Sequence, residues 1–317
     1  MIIIGTNVTA VTNQIALLAL HRLAPLQLVT YCSPVSTGMR HVDGYLSGTF
    51  AVDKDAAEHF SEKLMVCDGP PGCLDYAVEN RVPANRFDRR SMGIADTDVI
   101  FVNAAACFKI LPEMQETWAK IIKSVDNSRL LLLPFNPNWN STFPVKQFTR
   151  SLSAAFHRHG LGEDRIMLTG SLPSRAEVKE LEKIADVYLD TYPFSGSISV
   201  IDPLELGIPS VVWEGKTHRS RMAAALLREL AIPELIAQDE RSYIRISVQL
   251  ATDAAFRLEI KSRILAAMAA KPRFINPATY GQQLGELLGR HLTGKNQTLT
   301  VTDKALRKRR ESVALVA

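Results

Sequence analysis

Tyr192-Pro-Phe-Ser-Gly-Ser-Ile-Ser-Val-Ile-Asp202, followed by Pro203-Leu-Glu-Leu-Gly-Ile-Pro-Ser-Val-Val-Trp213, reads as a strand end, a small polar loop, the first turns of a helix and a second buried strand. Ser195, Gly196, Ser197 and Ser199 bring hydroxyl donors, free backbone N–H groups and the positive end of a helix dipole to one place. A diphosphate needs those groups, so the loop predicts a nucleotide-linked ligand. Asp202 lies one helical turn past Ser199, where it either accepts hydrogen bonds from a ribose or holds the loop in place. A serine-rich turn that only caps its helix is the alternative reading.

Upstream of this stretch the same alternation repeats. Strands are expected over 99–103, 129–133, 166–169 and 187–189, with amphipathic helices over 111–125, 143–159 and 175–185 between them. Met114, Trp118, Ile121 and Ile122 give the first of these helices its 3.6-residue period. Short apolar strands separated by such helices predict a parallel sheet covered on both faces. Ligands of such sheets bind beyond the carboxyl ends of the strands. Asn103, Ser171 and the 195–199 loop all follow strand ends and should gather along one edge.

The N-terminal part is α/β material as well, with strands expected at 2–4, 26–31, 45–46 and 63–67 and a helix over 12–21. The Gly-, Pro- and charge-rich stretch 68–90 reads as a linker or domain crossing. Helices are expected over 220–230, 239–252, 254–270 and 277–292. The reading divides the chain into a first domain at 1–95, a second at 96–275, a closing helix at 276–292 and a polar basic tail at 293–317.

At 317 residues, 46% of them apolar and 22% charged, the chain has material for two ordinary domains with their own cores. A net charge of +4, much of it from Lys304, Arg307, Lys308, Arg309 and Arg310, argues for a solvated tail and against a nucleic-acid partner. Cys32, Cys67, Cys73 and Cys107 lack paired spacing, which predicts reduced, mostly buried thiols of a cytoplasmic protein and no zinc site. The apolar run 15–20 stops at His21, short of the ~20 residues of a membrane helix, so no membrane partner is expected. Patterns for metallohydrolases, serine hydrolases and P-loop enzymes are missing from the sequence.

Further candidates come from position. Lys109 follows the 99–103 strand at a helix start; its ammonium either neutralises charge on a leaving diphosphate or is an ordinary surface lysine. Arg175, behind Pro173-Ser174 at another helix start, could meet a phosphate or a base. The loop Cys32-Ser-Pro-Val-Ser-Thr-Gly38 either presents hydroxyls across a cleft or is a plain turn. Lys216-Thr-His-Arg-Ser-Arg221 clusters basic groups that could bind an anion, with His218 read as a surface histidine. His157 and His159 are read as solvent-facing helix residues.

Assembled in order, these segments resemble the catalytic region of the nucleocytoplasmic O-GlcNAc transferases and of the bacterial cytoplasmic N-glycosyltransferases. The resemblance runs through 23–27, Ser33 to Thr37, 42–45, 60–64, Asn103 to Ile110, 164–166, 185–190, Tyr192 to Val212, Ser220-Arg221 and 230–237. It implies a GT-B-like α/β architecture of two Rossmann-like domains, with the N-terminal one incomplete because the chain starts inside it. By the same resemblance Lys109 is the catalytic lysine at the donor diphosphate. Asn103, Arg175, Ser195, Gly196, Ser197, Ile198, Ser199 and Asp202 fall in the nucleotide-sugar site, with Asp202 on the ribose. Ser33, Pro34, Ser36 and Thr37 fall on an acceptor-side loop. This chain departs from the family pattern at Ser33, Ala106, Val178 and Ile198.

The expected activity is metal-independent transfer of a hexose, glucose or GlcNAc, from a UDP-sugar to an Asn, Ser or Thr side chain of a protein. No cofactor is expected beyond that donor. The alternative is a truncated, non-catalytic relative that binds nucleotide or associates with another glycosyltransferase chain.

Overall fold

Strands made of consecutive buried aliphatic residues can be paired on both edges and covered on both faces, and in the computed structural model every strand pairing among the described residues is parallel. The structure describes residues 1–9, 13–75, 82–135 and 144–292. The chain forms two compact units, Met1–Cys73 with the stretch from Asn276 onward, and Leu74–Ile275.

The first unit runs β1 (Ile2–Ile4), α1 (Gln14–Ala19), β2 (Gln27–Thr30), β3 (Gly44–Gly48) and β4 (Lys63–Cys67), with the strands in sequential order across one sheet. The Asn13 side chain accepts from Ala16 N–H and caps α1; the expected helix start at residue 12 lies outside the described residues. Ile4, Val29 and Tyr45 on one face of the sheet pack with Ala16 and Ala19 of α1. β3 is longer than the two residues expected, because its ends are glycines, which carry no hydrophobic signal. Gly48 is required there: a Cβ would lie 2.2 Å from the Pro70 carbonyl oxygen.

The second unit contains β5 (Val99–Asn103), α2 (Pro112–Lys123), β6 (Ser128–Leu132), α3 (Val145–Arg158), β7 (Ile166–Leu168), α4 (Arg175–Glu182) and β8 (Val187–Leu189). It continues with α5 (Ile198–Glu205), β9 (Ser210–Trp213), α6 (Met222–Glu229), β10 (Ile236–Ala237), α7 (Glu240–Thr252) and α8 (Ala254–Ala269). The helices follow from their sequences. In α2, for example, Pro112 opens the first turn, Lys120 and Lys123 close the last, and Met114, Trp118, Ile121 and Ile122 are buried. Trp118 is fully buried, and truncating it to Ala should cost about 3–5 kcal/mol.

The six strands lie in the order β10-β9-β8-β5-β6-β7. Chain order runs outward in opposite directions from the β5/β8 pair, which is held in register by Phe101 opposite Val187 and Val102 opposite Tyr188. That is a topological switch point, where the loops leaving two adjacent strands diverge and open a crevice. The last helix, α9 (Pro277–Leu292), belongs to the first unit, and its Leu288 packs on Leu28, Leu46 and Met65 from the second face of that sheet.

The division between the units falls at Cys73, whereas the sequence reading set it at residue 95. Leu74 N–H donates to the Phe274 carbonyl at 2.6 Å and Ile94 joins the second unit's core, so the described residues between Leu74 and Ile94 go with that unit, while Gly69 to Gly72 stay with the first. The expected tail at 293–317 lies outside the described residues. Strand β10 was not expected, since two residues give no period to read. Among the described residues no helix is long and apolar enough to cross a membrane.

Candidate active site

The switch point places two loops side by side, one after β5 and one after β8. Asn103 ends β5, fully buried, and its Nδ2 donates to the Leu189 carbonyl of β8 at 2.7 Å while Oδ1 accepts from Ala105 N–H at 3.0 Å. The side chain therefore latches the two strand ends together and does not project outward. Beyond it a short 3-10 turn over Cys107–Lys109 carries Lys109 toward the second loop. Its Nζ donates to the Ser195 carbonyl at 3.2 Å and lies 4.1 Å from the centre of the Phe194 ring.

Asp190, the first residue after β8, organises that second loop. It is fully buried; Oδ2 accepts from Ser195 Oγ at 2.5 Å and Oδ1 from Gly196 N–H at 2.8 Å. Ser195 Oγ also accepts from Ala223 N–H at 3.0 Å, and Ser195 N–H donates to the Arg219 carbonyl at 3.1 Å. Below the loop Tyr192 stacks on Trp213 with ring centres 4.2 Å apart, Trp213 meets Tyr243, and the Tyr243 hydroxyl donates to the Asp190 carbonyl at 2.8 Å. The loop is thus fixed from inside before any ligand arrives, which is the condition for electrostatic preorganisation.

The sequence reading treated every N–H of this loop as free, and the structure corrects that. Those of Ser195 and Gly196 are used internally: Gly196 N–H satisfies the buried Asp190 carboxylate, and Ser195 N–H donates to the Arg219 carbonyl. The outward donors are one turn later. Ser197 is the N-cap residue of α5, and Ile198 and Ser199, its first two residues, have N–H groups with no acceptor within the helix. Ile198 is half exposed at this mouth.

Burial pushes the Lys109 ammonium down to about 8, opposed by the Asp190 charge, and pushes Asp190 up to about 6 against the hydrogen bonds of Ser195 and Gly196 and the charge of Lys109. Perturbation of both members of a cation–carboxylate pair by desolvation is typical of a functional crevice. Asp190 carried no role in the sequence reading. Its signal was available as an acid directly after a predicted strand and directly before the polar loop.

Asp202 and Arg175 come together, one from α5 and one from α4. Arg175 Nε donates to Asp202 Oδ1 at 2.6 Å, and Nη2 reaches Glu205 at 2.8 Å. Burial raises the Asp202 carboxyl, opposed by Arg175. The basic stretch 216–221 holds a correction: His218, read as a surface residue, is 5% exposed, and burial pushes its imidazole down to about 4. His159, read as solvent-facing, lies 2.8 Å from Glu116.

In the first unit, Ser33 is fully buried; its Oγ accepts from Val8 N–H at 3.2 Å and its carbonyl accepts from the Tyr45 hydroxyl at 2.5 Å. Glu62, itself buried, accepts from Ser36 Oγ at 2.7 Å, from Thr37 N–H at 2.7 Å and from Thr37 Oγ1. Pro34 is partly buried between them. These hydroxyls hold their own loop. Cys32, Cys67, Cys73 and Cys107 are free thiols, two of them buried.

The model of glycosyl transferase family 41 matches residues 78–284. The chain is 26% identical over 253 residues to the probable UDP-N-acetylglucosamine–peptide N-acetylglucosaminyltransferase SPINDLY of Arabidopsis thaliana, covering 79% of this chain and 26% of the relative. It is 28% identical over 201 residues to the UDP-N-acetylglucosamine–peptide N-acetylglucosaminyltransferase of Caenorhabditis elegans, covering 63% of this chain and 16% of that protein. This chain therefore spans about a quarter or less of the length of these relatives.

Among solved structures, a mutant O-GlcNAc transferase from Thermobaculum terrenum superposes with a TM-score of 0.70 at 23% identity, covering 85% of this chain and 48% of its own. The sucrose-phosphate synthase of Thermosynechococcus elongatus follows at a TM-score of 0.55 and 15% identity, over 85% of this chain and 68% of its own. These likenesses establish the GT-B fold of parallel-sheet, Rossmann-like units. A family match that takes in more than half of the chain, including Lys109, Asp190 and the whole of α5, settles its kinship: the chain belongs to glycosyl transferase family 41.

Proposed function

We propose that this chain binds a UDP-sugar and transfers its hexose, GlcNAc or glucose, to a protein side chain. The observation that carries the reading is the convergence of Lys109 and the N-terminus of α5 at the β5/β8 switch point. The printed functions of the relatives supply the donor class and the peptide acceptor.

In such a transfer a bond forms between the acceptor atom and the anomeric carbon while the bond from that carbon to the diphosphate oxygen breaks. Negative charge grows on the departing UDP. The Lys109 ammonium and the outward N–H groups of Ile198 and Ser199 are the donors that would meet it, in the role a metal ion plays in other enzymes. Arg175 and Asp202 would hold the ribose side, with Asn103, Ser195 and Gly196 supporting the loops. Metal independence, cytoplasmic location, and an acceptor contact by the Ser33–Thr37 loop are parts of this proposal.

Calorimetric titration with UDP, UDP-glucose and UDP-GlcNAc tests donor binding. UDP release with a peptide acceptor in the presence of a chelator tests transfer. Absence of binding to all three ligands would reject the proposal. Binding without release would favour the second reading, a nucleotide-binding partner subunit, which the internal use of the Ser195 and Gly196 N–H groups also supports.

A further inference from the structure

One acid of the second unit has no partner. Glu182, the last residue of α4, is fully buried, and neither carboxyl oxygen has a hydrogen-bond partner among the described residues. It shares a stripe of α4 with Arg175 and Lys179, at i, i+4 and i+7. The two cations on that stripe both reach across to α5. Arg175 bonds Asp202 and Glu205, and Lys179 Nζ lies 2.5 Å from Glu205 Oε2. A further titratable neighbour is Tyr188 of β8, which is fully buried.

The charges of this cluster balance only if one acid is neutral. Arg175 and Lys179 match Asp202 and Glu205, which leaves Glu182 as a third, fully buried carboxyl group. An isolated buried carboxylate is too costly to persist and takes up a proton instead. Burial together with the Asp202 charge holds the Glu182 carboxyl well above the usual carboxylate range, with Lys179 and Arg175 opposing.

We propose that Glu182 is a positioning residue of the donor site: as an uncharged acid it leaves Arg175 and Lys179 to Asp202 and Glu205, and so keeps Asp202 where it can meet the ribose. Ionised, it would compete for both cations and free Asp202 to move. The inference rests on the UDP-sugar reading of Asp202, and it identifies a residue that cannot itself touch the donor.

The test compares wild type with Glu182→Gln, which is uncharged at every pH, by UDP titration at about pH 6 and about pH 9. Loss of the Lys109 charge lowers affinity at the higher pH in both proteins, so the ratio between them is the readout. At the lower pH, where an ordinary glutamate is already ionised, the ratio should be near one, because an uncharged acid and its amide are equivalent there. Any divergence at the higher pH should favour the variant, since only wild type can ionise. A variant that binds tighter than wild type already at the lower pH, or weaker at the higher, overturns the inference. Wild type that binds no UDP at either pH rejects the proposed function, and the inference with it. Should the Gln variant not fold, Glu182→Met carries the same comparison at similar volume.

Discussion

The Lys109 ammonium donates to the carbonyl oxygen of Ser195, 3.2 Å away. Its nearest fixed partner is therefore loop backbone, and the carboxylate of Asp190 acts on it from farther off. A cation held this way keeps donors to spare for an anion, since an ammonium has three and the carbonyl takes one.

Replacing Lys109 by Met should remove that anion contact and leave the fold intact. Calorimetry should show UDP affinity reduced by about 10- to 100-fold, and UDP release with an acceptor should fall by about 100-fold or more. Thermal unfolding at neutral pH should be unchanged or higher, because burial already disfavours the charged lysine. Wild-type UDP affinity should decline as pH rises through about 8, where the ammonium loses its proton. A variant that binds and turns over like wild type would remove Lys109 from the site.

Asp190→Asn should damage the loop from inside. The amide nitrogen of Asn cannot accept, so either Ser195 Oγ or Gly196 N–H loses its buried partner. The cost is about 1–3 kcal/mol in urea unfolding. UDP affinity should fall with it, although Asp190 does not itself face the ligand. Equal stability of variant and wild type would show that the carboxylate is dispensable to the loop.

The parts of this fold that were legible in the sequence are those with a period. Strands β1, β4, β5, β8 and β9 and helix α9 end where the pattern of apolar residues ends. Helix α4 stops three residues short of its expected end, since Lys183 to Ala185 serve as its exit and not as helix. Lys109 and α5 could be found because residues after a strand end in a parallel sheet gather at one edge. Asp190 could have been found by the same rule, whereas Glu182 could not, because its role depends on burial, and no local pattern says that an acid in a helix will be fully buried. Free N–H groups were counted by position, yet that of Gly196 is consumed by Asp190, six residues earlier, and that of Ser195 by the Arg219 carbonyl. For the 32–38 loop the sequence left hydroxyl presentation and a plain turn both open, and it gave no sign of Glu62, the partner of the Ser36 and Thr37 hydroxyls.

A stabilising substitution follows from the end of α6. Ala231 has φ of 55°, and its N–H donates to the Arg228 carbonyl while Ile232 N–H donates to that of Leu227. These two bonds form a Schellman motif with alanine at the left-handed position that glycine favours. Ala231→Gly should raise stability by about 1 kcal/mol. The rise should appear as a higher melting temperature with donor affinity unchanged. A lower melting temperature would mean that the methyl group packs more favourably than its backbone strain costs.

The acid limb of stability should contain two opposing slopes from this one unit. His218 is held neutral to about 4, whereas an unfolded histidine takes up a proton near 6.5. Between those values the unfolded chain binds more protons, so stability falls as pH falls, by on the order of 1–3 kcal/mol. Asp190 behaves in the opposite sense. Its folded carboxyl holds a proton up to about 6, against 3.8 when unfolded, so in that window stability rises as pH falls. Glu182, kept protonated by burial, adds to the second slope. In wild type the slopes partly cancel. Urea unfolding of His218→Leu between about pH 4 and about pH 6.5 should therefore expose a stability that increases toward acid relative to wild type. Asp190→Asn should expose the reverse, a steeper acid loss. If both variants track wild type in parallel across this range, neither group titrates differently in the folded and unfolded chains, and the buried charge states assigned to them are wrong.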